Sequence, residues 1–324
     1  MVARMPAALA IAVDLGGTNL KVGLVARGGR IVAKRSQAVA ADRGPGAVVA
    51  DMAELADALI EEAAVARAAV RAAGVGSPGP LSVREGIVFH CANLPNWHDV
   101  PLRDMLRERL KMPVVLDNDA NVAAFGEFHH GAGRGCSDMV LLTLGTGVGS
   151  GIVLDGRIVH GHFENAGELG HMIVAADGLP CPCGQRGCLE QYASASSVSR
   201  RVVSAVERGA ACTLGEAIRG GEPIDCIRVE EAAKAGDALC LRVWDDTCLY
   251  LAIAAINIQH AFNPARVVLS GGMSGAGAFL LDPINEHLGR QRWKLHEDLP
   301  EIRLSDLGPD AGLIGAAALA WQIG

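Results

Sequence analysis

The chain has 324 residues, 50% of them hydrophobic, with 29 Lys and Arg against 36 Asp and Glu, a net charge of -7 and a pI near 5.8. That length can bury a large core and suggests two domains, while the absence of any long basic run argues against a nucleic-acid partner. The longest apolar runs, such as Tyr250 to Ile258, are too short to span a bilayer. Met1 to Val13 loosely mimics a signal peptide, but Asp14 and a glycine turn follow at once, so a first strand is the better reading and the cytoplasm the expected location. Nine cysteines, an odd count, argue against a disulfide framework.

In chain order, the first half alternates strands and helices: strands near 8–14, 20–26 and 30–38, then a helix near 46–72 predicted from alanine-rich periodicity with acids early and arginines late. An apolar strand follows, leading into Gly76-Ser77-Pro78-Gly79-Pro80. A helix over Leu102 to Leu110 precedes the strand VVLD, and Asp117-Asn118-Asp119-Ala120-Asn121 opens another helix reaching about His130. A second hairpin begins at Val140. Beyond it lie an irregular glycine- and cysteine-rich segment, 160–190, and a mostly helical region from about 193 to 260. RVVLSGG, Arg266 to Gly272, is a strand running into a third glycine turn, and the chain closes on the helical AGLIGAAALAWQ.

Two of these stretches are one unit written twice: IAVDLGGTNLKVGLVARGGRIV from Ile11 and VLLTLGTGVGSGIVLDGRIV from Val140. Each passes from an apolar strand through a glycine-rich turn into a second strand and closes on Gly-Arg-Ile-Val, Gly29 to Val32 and Gly156 to Val159. The first copy is longer by two residues. A repeat at this distance marks two half-molecules rather than a solenoid. Glycines in the turns let backbone N–H groups approach an anion closely, so one turn per half suggests a polyphosphate held between two α/β domains. No GxxxxGK[ST] or GxGxxG with a following ribose-binding acid occurs at either hairpin, which removes the P-loop and Rossmann readings.

Chemistry-bearing residues cluster around these turns. Asp14, ending the first strand of DLGGTNLK, is suited to hold Mg2+ through water, with Thr18 and Lys21 close to the same charges; capping of the turn is its other use. The 117–119 cluster follows an apolar strand, at the carboxyl end where ligands bind in α/β sheets. Phosphoryl transfer to an alcohol needs one carboxylate to accept the hydroxyl proton. We assign that role to Asp119, with Asp117 as competitor and helix capping as the alternative for either. His171 and Cys181-x-Cys183-x4-Cys188 supply one imidazole and three thiolates, a full tetrahedral set for structural zinc with no position left for water. Glu168 and Glu190 bracket that loop and can accept hydrogen bonds from sugar hydroxyls.

At these residues the chain resembles the ROK sugar kinases. The resemblance runs through nearly its whole length: DLGGTNLK, GSPGP (76–80), NLPNW (93–97), DNDAN (117–121), LGTGVGSG (144–151), GELGH (167–171), CPCGQRGCLEQYAS (181–194) and LSGGMSG (269–275). Pro182 stands where the family often has glycine, a departure that leaves the ligands untouched. The resemblance implies an actin/hexokinase-like (ribonuclease H-like) ATPase fold: a small domain of 1–118 plus about 309–324, a large domain of 119–308, and a cleft between them. It implies that Asp119 is the general base and that Gly79, Asn93, Asn118, Asp119, Glu168, His171 and Glu190 meet the sugar. His171 would serve metal and sugar through different ring nitrogens. Zinc would sit on His171, Cys181, Cys183 and Cys188, and ATP with Mg2+ on Asp14, Gly16, Gly17, Thr18, Asn19, Lys21, Gly145, Thr146, Gly147, Gly271, Gly272 and Gly275.

NLPNW and LEQYAS are most similar to the glucokinase branch, which implies transfer of the ATP γ-phosphoryl group to the 6-hydroxyl of glucose. N-acetylglucosamine and N-acetylmannosamine kinases share DNDAN and the cysteine motif, and polyphosphate is an alternative donor. The family also includes sugar-sensing repressors with a DNA-binding module ahead of the first hairpin; with 13 residues before Asp14, no nucleic-acid partner is expected. A homodimer or homotetramer is the assembly that the resemblance implies.

Overall fold

The structure, a computed structural model, describes residues 8–91, 94–291 and 299–323. Its strands are β1 (Leu9–Leu15), β2 (Asn19–Ala26), β3 (Ile31–Ala38), β4 (Val70–Ser77), β5 (Leu81–Ser82), β6 (Ile87–His90), β7 (His98–Val100), β8 (Val114–Asn118), β9 (Met139–Leu144), β10 (Val148–Leu154), β11 (Arg157–Ile158), β12 (Arg266–Ser270) and β13 (Glu301–Leu304). Its helices are α1 (Pro45–Glu62), α2 (Leu102–Leu110), α3 (Asp119–His130), α4 (Glu190–Ala193), α5 (Ala195–Glu207), α6 (Gly215–Arg219), α7 (Cys226–Lys234), α8 (Ala238–Phe262), α9 (Ala278–Gln291) and α10 (Ala311–Ala320). Two five-stranded sheets have the orders β3-β2-β1-β4-β8 and β11-β10-β9-β12-β13, and β5-β6-β7 form a small third sheet. In each large sheet an antiparallel hairpin is joined to parallel strands, as the duplicated sequence unit leads one to expect. The outer turn of the first copy is the longer one, residues 27–30 against the tight Asp155-Gly156, both of whose φ values are positive.

The chain separates into two compact units. Unit 1 holds residues 1–135, 151–167 and 306–324; unit 2 holds 136–150 and 168–305. The boundary differs from the 118/119 division read from the sequence, because α3 belongs with unit 1. Its packing partner is α10: a Cβ on Gly315 would come within 1.7 Å of the Val122 carbonyl oxygen, so the two helices touch backbone to backbone. A buried carboxylate fastens the same union, since Glu127 accepts from the backbone N–H groups of Ala132 at 2.7 Å, Leu307 at 2.9 Å and Asp306 at 3.2 Å.

The two faces of the first sheet show why its strands read as they do. Leu9, Ile11, Val13 and Leu15 alternate to one face and join Val48, Val49, Met52 and Leu59 of α1 and Leu102, Leu106 and Leu110 of α2 in one buried cluster. The opposite face is built from small residues in matching register, Ala10, Ala12 and Ala72 among them, with Gly74 beside Ala12. A Cβ on Gly74 would lie 1.8 Å from the Ala316 carbonyl oxygen, so the alanine-rich α10 seats directly on that face.

The predicted helix over 46–72 is too long. It stops at Glu62, Ala64 turns into the left-handed region (φ 50°), and Val70–Ser77 is a strand paired in parallel with β1 from Leu9↔Val70 onward. Alanine propensity favours helix through this stretch, but a central position between β1 and β8 overrides it. In unit 2, α8 runs 25 residues between the Asp237 N-cap and the Asn263 C-cap and buries Leu239, Val243, Trp244, Leu251 and Ile258.

Candidate active site

In unit 1 candidate residues collect at the carboxyl ends of three neighbouring strands. Asp14 of β1, Gly76 of β4 and Asp117 of β8 occupy one row of the sheet. Strand spacing places the backbones of the two aspartates about 10 Å apart with Gly76 between them. Asp14 pairs with Lys21 across the hairpin at 3.0 Å, and the Lys21 ammonium also donates to the Pro309 carbonyl at 3.0 Å. Between them the turn Gly16-Gly17-Thr18 is closed by Gly16 N–H donating to Asn19 O at 2.8 Å, with Thr18 and Asn19 exposed. Gly312, which sequence reasoning missed, starts α10 under this carboxylate; a Cβ there would lie 2.8 Å from Asp14.

The DNDAN cluster separates into three roles. Asn118 is the N-cap of α3, its Oδ1 accepting from Ala120 N–H at 3.0 Å and Asn121 N–H at 3.4 Å. Asp117 is buried and engaged: Oδ1 accepts from Asn118 N–H at 2.7 Å and the Asn121 side-chain amide at 2.9 Å, and Oδ2 lies 2.7 Å from His160 Nε2. Asp119, half-buried in the first turn, accepts from Ala120 N–H at 2.8 Å. Gly79 lies beside this turn, where a Cβ would stand 3.5 Å from the Asn118 amide nitrogen. Asn93 lies outside the described residues.

His160 is the polar residue here that sequence reading missed. Its signal was positional: the copies agree through Gly-Arg-Ile-Val and then diverge, Ala33 in the first and His160 in the second. The hydrogen bond to Asp117 holds its imidazole above the ordinary histidine range, against an opposing effect of burial.

In unit 2 the second and third glycine turns come side by side. Strands β9 and β12 run parallel, pairing Ser270 with Thr143, and a Cβ on Gly271 would lie 2.5 Å from the Leu144 carbonyl oxygen. Gly145 N–H donates to Gly147 O at 3.0 Å, Thr146 is exposed at the tip, and open space adjoins Gly272 and Gly275. Glu190 is built into this turn: its Oε2 accepts from Val148 N–H at 2.9 Å and stands 2.4 Å from where a Gly147 Cβ would be. Glu168, exposed, opens the short turn bearing His171, which is fastened to β10 by Leu169 N–H donating to Ser150 Oγ at 3.0 Å. The structure therefore gathers Glu168, His171 and Glu190 around β10.

The donor atoms of His171, Cys181, Cys183 and Cys188 all lie within 4.8 Å of one another. Cys181 Sγ is 3.7 Å from His171 Nδ1, and Cys183 Sγ is 3.6 Å from Cys188 Sγ. Zn–S and Zn–N bonds of about 2.3 and 2.0 Å in a tetrahedron give ligand edges of about 3.5–3.8 Å, which these two distances match. Backbone pairing of Leu189 N–H with Met172 O at 2.9 Å and of Cys181 N–H with Gln185 O at 2.9 Å sets those positions. The Gln185 N–H beside Cys183 holds that thiol below its ordinary range, whereas burial and the neighbouring cysteines push Cys188 up to about 12. A central divalent cation would remove that second cost. Cys212, Asp237 and Cys240 also converge, but the Asp237 carboxylate there serves as the cap of α8, taking the Leu239 and Cys240 N–H groups.

A sequence model of the ROK family matches residues 10–323. The chain belongs to the ROK family. Among ROK relatives, the glucokinase of Halalkalibacterium halodurans is 38% identical over 313 residues, covering 96% of this chain and 94% of its own. The glucokinase of Thermotoga maritima is 37% identical, with 97% and 98% covered. The crystal structure of the Streptomyces griseus ROK glucokinase in complex with glucose and AMPPNP is 33% identical and superimposes with a TM-score of 0.80, covering 97% of this chain and 99% of that one. The actin/hexokinase-like ROK fold expected from the motifs is thus the fold observed.

Proposed function

We propose that this protein is an ATP-dependent hexose kinase, most like a glucokinase, that transfers the γ-phosphoryl group of Mg-ATP to a sugar 6-hydroxyl. The observation that carries the reading is the Glu190 carboxylate held by the backbone of the second glycine turn, which puts a group suited to sugar hydroxyls in direct contact with a turn suited to phosphates. Near full-length similarity to ROK glucokinases supports the same choice.

In this reading Asp119 accepts the hydroxyl proton. Asp117 is less suited, because burial and three hydrogen-bonding partners occupy its oxygens. Asn118, Gly79, Asn93, Glu168, His171 and Glu190 bind the sugar. The turns 14–21 and 144–151 hold the phosphates through N–H groups, and Gly271, Gly272 and Gly275 flank the nucleoside. Asp14 would hold Mg2+ through water, and that cation would neutralise phosphate charge. Zinc on His171, Cys181, Cys183 and Cys188 would be structural, fixing the loop between Glu168 and Glu190. Nine free cysteines suit a cytoplasmic setting, and the assembly is a homodimer or homotetramer.

The deciding experiment measures ADP release from Mg-ATP with glucose, fructose, mannose and both N-acetylhexosamines. Glucose should lead, and no sugar-dependent release would refute the kinase reading. Asp119→Asn should abolish turnover while sugar binding stays measurable by calorimetry; substantial residual turnover would refute the base assignment.

A further inference from the structure

Asp117 is 2% exposed, and burial of a carboxylate is tolerated where donors and a cation match it. Of its partners Asn118 N–H, the Asn121 amide and His160, only His160 can carry positive charge. His160 enters from the segment after β11, which is fastened a second time four residues on. There Glu164 accepts from Ser82 Oγ at 2.6 Å and from Arg84 N–H at 3.3 Å, and Ala166 N–H returns to the His160 carbonyl at 3.0 Å. The ring is thus delivered to Asp117 by a segment held at both ends.

Asp117 in turn governs the first turn of α3. One oxygen ties the backbone of the cap residue, Asn118, to the side chain of Asn121 three residues later, and Asp119 sits between them with its own carboxylate on Ala120 N–H. Rotation of the Asp117 carboxylate would carry both flanking residues with it.

We propose that His160 is a positioning residue for phosphoryl transfer: by donating to Asp117 Oδ2 it fixes the first turn of α3, and through that turn the Asp119 carboxylate. The inference rests on Asp119 being the base. Protonated His160 is the productive form, because it alone brings charge to the buried carboxylate. The charged groups facing the ring are Asp117 from β8 and Glu164 from its own segment, and both favour the imidazolium. Glu164 is itself held below the usual carboxylate range, first by its hydrogen bond from Ser82, so it stays anionic alongside.

The test uses the full chain with Mg-ATP and the sugar giving the fastest ADP release. His160→Ala removes the donor; His160→Gln keeps a donor amide that cannot titrate. His160→Ala should lower kcat by about 10- to 100-fold, the scale of a misplaced reacting group, with a smaller change in KM. His160→Gln should restore kcat to within about 5-fold, the difference between a charged and a neutral hydrogen bond. It should also lack the alkaline fall in kcat expected of the wild type as His160 loses its proton. Wild-type kcat in His160→Ala, equal impairment in the two variants, or an unchanged alkaline limb in His160→Gln would each overturn the proposal. If His160→Ala fails to fold, the pH profile of His160→Gln decides alone. A wild type that releases no ADP with any sugar refutes the kinase reading instead, and an active Asp119→Asn refutes the base, so the three failures are distinct.

Discussion

Gly147→Ala isolates the link between the second glycine turn and Glu190. Gly147 is outside the left-handed region, so alanine meets no backbone penalty there. The added methyl would lie 2.4 Å from Glu190 Oε2 and 3.3 Å from its carboxyl carbon, and apart from its chain neighbours no other atom of the described residues is within 4 Å. The obstacle is the far end of a flexible side chain, which can swing away while the fold persists. Swinging away breaks the 2.9 Å hydrogen bond from Val148 N–H. A hydrogen bond to a charged group contributes about 1.5–3 kcal/mol, which corresponds to about a 10- to 150-fold change in an equilibrium. If Glu190 binds the sugar from this position, KM for the sugar should rise on that scale, with the melting temperature moving by only a few degrees. Initial rates across sugar concentrations, with calorimetric titration of sugar alone, measure the effect. A KM within about twofold of wild type, in a variant whose crystal structure shows Glu190 displaced, would refute the reasoning, since displacement would then cost less than one such hydrogen bond.

Cys183→Ser should lower bound zinc well below one per chain by metal analysis and reduce activity; full zinc content in that variant would exclude Cys183 as a ligand. Glu127→Leu strips the acceptor from three backbone N–H groups that join α3 to the segment before α10. The expected loss is about 3–5 kcal/mol in denaturant unfolding, and a loss under about 1 kcal/mol would show those groups repartnered. The raised His160 contributes stability that is complete below its ordinary value of 6.5 and fades as pH rises through the higher folded value. Wild type should therefore lose stability more steeply than His160→Gln from neutral toward alkaline pH, and parallel unfolding midpoints would contradict this.

The duplicated hairpins, the cysteine spacing and the opening of α3 at the 117–121 cluster were legible because each is short-range chemistry. Glycine in a turn, thiols a few residues apart and an amide opposite the next N–H groups act within one loop. The stretch 63–72 was misread for the opposite reason. Its alanines favour helix locally, and only the arrival of β1 and β8 on either side makes the latter part a strand. From the sequence Asp119 is the assigned base and Asp117 its competitor, but the physical difference between them is not visible there. Their difference is burial and the His160 ring, brought from 43 residues away. Likewise, the sequence determined that two glycine turns and a metal-type loop exist. The tertiary structure decided that α3 stands with α10 and that Glu190 leans on Val148, because contacts between distant segments depend on which backbones can approach and carry no local signature.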